Sequence, residues 1–90
     1  MTLTKKIRNH ARLQAIIQAL SDLRLDERSG HLGTTEFECS LNSAWKSLIT
    51  ASSLRAASLR ADGINAENIG YDVNDGMELD DVVARATVAV

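Results

Sequence analysis

Three side chains in this sequence have the reactivity that catalysis or metal binding at neutral pH would call on: His10, His31 and Cys39. Cys39 falls just inside the start of an expected helix, where the dipole lowers a thiol pKa, but Glu36 and Glu38 flank it and push the other way. His31 lies in a glycine-flanked loop from which it could approach Cys39. Nucleophilic catalysis also needs a group to orient such a pair, and none is evident. The spacing fits neither the paired cysteines nor the i,i+4 histidines of zinc sites. DVNDG invites comparison with a calcium loop, but with Gly76 at the sixth position Tyr71 and Val73 occupy the first and third, where an EF-hand needs ligands. His10 is followed by ARLQ, which lacks the small, basic and glycine surroundings of a phosphorylatable histidine, and there is no glycine-rich phosphate loop. The expectation is a protein that is not an enzyme and takes no cofactor or metal.

Charge carries more information than any of these groups. Residues 1–25 hold Lys5, Lys6, Arg8, Arg12 and Arg24 against Asp22, a net of +4, while residues 62–81 hold seven acids and no base, a net of −7. Lys5 and Lys6 fall in a first helical turn, where the macrodipole disfavours cations by about 0.3–1 kcal/mol each. A compensating anion is therefore expected, supplied by the acidic tail, a second copy, another protein or phosphate. Phosphate is the weaker reading: the basic segment has no aromatic residue for stacking, and the loop from about 26 to 34 is too long for a helix-turn-helix. The candidate partner-binding residues are Lys5, Lys6, Arg8 and Arg12 on one side and Asp72, Asp75, Glu78, Asp80 and Asp81 on the other. They point first to a protein partner and second to a nucleic-acid-associated dimeric regulator laying its basic helix on phosphate. An acidic decoy occupying another protein's nucleic-acid groove ranks third.

The elements that would carry these groups are helices. Leu13, Ile16, Ile17, Leu20 and Leu23 recur with the 3/4 spacing of an amphipathic helix over about 4–25, and this stripe is the expected core face. A narrower stripe of Leu3, Ile7 and Ala11 lies on the other side. After the loop DERSGHLG, Thr35 stands three residues before Glu38 as a capping box, opening a second helix over 35–61. Its apolar face is Phe37, Leu41, Ala44, Trp45, Leu48, Ile49 and Ala51. The register then fails: Ser52 and Arg55 fall on that face while Leu54, Ala57 and Ala61 sit nearly opposite, so the helix either kinks near 50–53 or its last turns meet a new surface. Asp62 and Gly63 supply the stop. The tail, INAENIGYDVNDGMELDDVVARATVAV, begins with turn residues. Asp75 and Glu78 form a second capping-box-like start for a helix near 77–87, and TVAV at the end is open to either helix or edge strand.

Ninety residues make one domain, 1–90, with only three aromatic residues, one cysteine and no proline. An aliphatic core without proline favours an all-α fold: a long helical hairpin plus a short C-terminal helix. A 27-residue helix would be about 40 Å long, more than a domain this small can cover. Leu3, Ile7, Leu54, Ala57 and Ala61 are left without a surface inside the chain, so self-association to a dimer that completes a helical bundle is expected. No stretch is long and apolar enough for a membrane, no small-residue cleavage site follows AIIQAL, and the lone cysteine suits a reducing compartment; the expected location is cytoplasmic.

Overall fold

Four helices make up the computed structural model, which describes residues 1–28 and 35–88: α1 (Leu3–Asp26), α2 (Glu36–Ala61), α3 (Ala66–Asn74) and α4 (Leu79–Val88). No strand occurs among the described residues, and none of their helices is long and apolar enough to cross a membrane. The chain is thus all-α as expected. Thr87 and Val88 are helical; Ala89 and Val90, like His31 and the glycines Gly30 and Gly33, lie outside the described residues.

Local chemistry explains the helix ends. The Thr2 hydroxyl accepts from the Lys5 N–H at 3.2 Å, and the Thr35 hydroxyl accepts from the Glu38 N–H at 3.1 Å, the cap legible in the sequence. At the end of α2, Gly63 takes a φ of +84°, the Ile64 N–H donates to the Leu59 carbonyl and the Gly63 N–H to that of Arg60. That is the Schellman arrangement, and its apolar pair, Leu59 and Ile64, enters the core.

The same device recurs one helix later, where it overturns an expectation. Gly76 also has a φ of +84°, with the Met77 N–H donating to Asp72 and the Gly76 N–H to Val73. Asp75 therefore closes α3 instead of opening α4, and the stretch read as turn is a nine-residue helix begun by the Asn65 side chain, which accepts from the Asn68 N–H at 3.2 Å. Met77 and Glu78 precede α4.

The core is also placed differently from the sequence expectation. Its largest fully buried side chains are Ile7, Leu59, Ile69 and Val82, joined by Ala11, Ala56, Ile64, Ala66 and Val83, with Leu3 packed at the edge. The narrow stripe of α1 is thus the core stripe. α3 folds over the first turns of α1 and the last turns of α2, and α4 packs on α1 and α3, forming a four-helix head. The α2 register change marks that meeting: the helix runs through 50–53 without interruption, and its last turns bury Ala56 and Leu59. Ile7 and Leu3 therefore spend their apolar surface inside the chain and are not available for self-association, while Leu54, Ala57 and Ala61 stay exposed.

Beyond Gln14 and Ser52, α1 and α2 continue as a two-helix arm with no third layer. The molecule measures 49 × 23 × 17 Å.

Candidate interaction surface

Side chains along the arm show why it is incomplete. The two helices meet through polar contacts. Gln14 Nε2 donates to Ser52 Oγ, Trp45 Nε1 donates to Ser21 Oγ at 2.9 Å, and Arg24 Nε donates to Asn42 Oδ1 at 2.8 Å with its guanidinium 4.4 Å from the Trp45 ring centre. Of the expected core stripe only Ile17 is buried; Ile16 is 55% exposed and Leu23 41%. Across from them, Phe37 is 53% exposed, and Leu41 and Leu48 are half-buried.

Helical geometry places these residues together. At about 100° per residue, Ile16, Leu20 and Leu23 lie on one flank of the contact line drawn by Ile17, Ser21 and Arg24. Phe37, Leu41, Ala44 and Leu48 lie on the corresponding flank of the line through Trp45 and Asn42. Because the helices run antiparallel, both flanks look out on the same side, opposite the side on which Ile7 and Ala11 receive α3 and α4. The sequence showed both stripes but not that they would be turned outward. The available signal was length: two helices of nine and ten residues cannot cover a hairpin of 24- and 26-residue helices.

The charged clusters are settled within the chain only in part. Lys6 Nζ lies 2.6 Å from Asp62 Oδ2, Arg8 Nη1 2.8 Å from Asp80 Oδ1, and Arg85 Nε 3.6 Å from Asp72 Oδ2. Asp72 is only 7% exposed, which removes it from any docking surface. The acidic tail thus supplies the anions that Lys6 and Arg8 call for. Each such surface pair is worth about 0–1 kcal/mol. Lys5, Arg12, Asp75, Glu78 and Asp81 are exposed and form no ion pair among the described residues. Of the four basic candidates, Lys5 and Arg12 are the two left without an anion among the described residues.

A second feature is an open cleft of about 550 Å³ where α1, α2 and α3 meet, lined by His10, Gln14, Ser52, Arg60, Glu67 and Tyr71 among others. Its one acid, Glu67, is held by Arg60 through Nε at 3.1 Å and Nη2 at 2.9 Å. A backbone hydrogen bond, then Arg60, lowers its carboxyl below the ordinary range. His10 is 2% exposed and its Nδ1 has no hydrogen-bond partner. Burial first, then the charges of Arg55 and Arg60, push its pKa below 6.5. His10 and the Arg60-paired Glu67 give the cleft a polar lining. Cys39 is exposed near the arm tip, and no cluster of metal-ligating side chains occurs among the described residues.

The His10 environment has a measurable consequence. Between its lowered folded pKa and 6.5, the unfolded chain binds the proton more readily, so stability falls as pH drops below about 6.5 and the His10 contribution levels off once the folded form also protonates. Thermal melts between pH 7.5 and 5 should show a steeper loss for wild type than for His10→Gln. Parallel pH profiles would refute the assignment.

Compared with known protein families, curated protein sequences and solved structures, the chain matches none.

Proposed function

We propose that the protein is a non-enzymatic interaction module, a small regulator, adaptor or inhibitor that engages a protein partner through the open face of its two-helix arm. The observation that carries this reading is that face: Ile16, Leu23 and Phe37, each more than two-fifths exposed, aligned on one side of an arm whose own helices meet through polar groups. Exposed apolar surface gathered in one patch, as opposed to scattered singly, is the usual sign of an interaction site. Charges left unpaired among the candidates, Lys5 and Arg12 beside the arm and Asp75, Glu78 and Asp81 on the head, would set orientation and association rate more than affinity.

Affinity capture from native lysate tests the reading, with half of each sample treated with nuclease. Wild type is expected to retain a protein that Leu23→Ser/Phe37→Ser loses at least tenfold, with nuclease making no difference. Retention unchanged in the variant would refute the arm as the binding face. Capture abolished by nuclease and by Lys5→Gln/Arg12→Gln would move the function to nucleic acid.

A further inference from the structure

We infer that the arm's open face is covered by a second copy of this chain, laid across it antiparallel, so that two arms form one four-helix bundle with a head at each end. The inference rests on the interaction-module reading and names its occupant. It differs from the expected dimer face, of which Ile7 lies in the chain's own core and Leu3 packs at its edge while Leu54, Ala57 and Ala61 stay exposed.

Two quantities support a partner of this size. The chain exposes 5920 Å², where a compact monomer of 9.8 kDa should expose roughly 5200 Å². The excess is close to the roughly 800 Å² that each partner contributes to a standard interface. The radius of gyration, 15.0 Å, exceeds the roughly 12 Å expected for a compact chain of this length.

Charge along the face selects a second copy and its direction. On the same side as Ile16 and Leu23, helical spacing puts Lys5 and Arg12 of α1 and Arg55 of α2 toward the head, and Glu27 at the tip. An isologous pair requires each patch to complement itself under a twofold rotation. With the axis across the arms, α1 lies over the partner's α1 in the opposite direction, centred near Leu20, and Arg12 of one chain meets Glu27 of the other. With the axis along the arms the basic ends would coincide. Only the antiparallel arrangement brings opposite charges together.

Within one chain Arg12 and Glu27 are fifteen residues apart on or beside the same helix, about 22 Å. Any coupling between them must therefore cross between chains. Sedimentation equilibrium from 1 to 100 µM gives the test. Wild type is expected at twice the chain mass in the upper part of this range, Leu23→Ser/Phe37→Ser at the chain mass with unchanged helicity, and Leu54→Ser, off the face, as wild type. Arg12→Glu and Glu27→Lys should each weaken the dimer several-fold, and combining them should restore it. A monomeric wild type would overturn the second copy as occupant, even where capture by the arm face persists. A dimer lost in Leu54→Ser but not in the arm variant would overturn the face, and a double swap that fails to restore association would overturn the direction.

Discussion

Ile7→Ala is expected to lower the unfolding free energy by roughly 2–5 kcal/mol, while Ile16→Ala, nine residues further along the same helix, lowers it by less than about 0.5 kcal/mol. Ile7 is fully buried against Leu59, Ile69 and Val82 in one cluster, whereas Ile16 is 55% exposed. Truncating Ile7 removes apolar contact and leaves a cavity that three other helices must close around. Truncating Ile16 removes surface already in water. For ninety residues the total stability is of the order of 5–13 kcal/mol, so the first change takes a large share and should lower the melting temperature by about 10 °C or more. Measurements at low micromolar concentration, below the range in which the proposed dimer is expected, isolate the folding term. Equal losses at the two positions would show that the broad stripe of α1 is the core after all. If Ile16→Ala costs stability only at high concentration, the extra loss belongs to association, not to the fold.

The two long helices were legible because each has its own evidence: a sustained 3/4 apolar pattern, a threonine cap at Thr35 and an Asp-Gly stop at Asp62 and Gly63. Which stripe of α1 would be buried was not legible, because amphipathic spacing shows only that a face wants burial and not what arrives to bury it. Leu13 to Leu23 make the broader stripe, but the partners that α1 needs, α3 and α4, reach only its first turns. α3 itself was missed although the sequence carried its stop signal. Asp75-Gly76 repeats Asp62-Gly63, and reading it as a second helix end would have required a helix before it. Asn65, Ile69 and Val73 then supply a cap and an apolar stripe at helical spacing. The dipole of charge, by contrast, was plain in the order of the charged residues, and its partial resolution within the chain follows from the fold: the hairpin brings Asp62, at the end of α2, to Lys6, and α4 packed on the start of α1 carries Asp80 to Arg8. Cys39 and the histidines gave no reactive constellation in the sequence, and the imidazole of His10 acquires its unusual setting only through the packing of α2 and α3 around it.

Val82→Asp should abolish the fold, and the reason shows how the molecule is held together. Val82 is fully buried on α4 in the cluster that joins it to Ile7 and Ile69. An unpaired carboxylate there carries an effective penalty of several kcal/mol, added to the loss of an apolar side chain worth about 1.5–3 kcal/mol when buried. Ala84→Asp, exposed on the same helix, changes helix propensity and adds a like charge near Asp80, a cost below about 1 kcal/mol. Were the long hairpin stable alone, Val82→Asp would remove only the helicity of α4. The arm argues against that: Ile17 is its only buried side chain among the described residues, and its polar contacts with water as competitor contribute little net stability. Without the head, the hairpin loses Ile7, Ala11, Ala56 and Leu59 from any core. Circular dichroism should therefore show helicity falling cooperatively across all four helices in Val82→Asp, with Ala84→Asp near wild type. A loss confined to about ten residues' worth of signal would mean that the hairpin folds by itself and that the short helices merely decorate it.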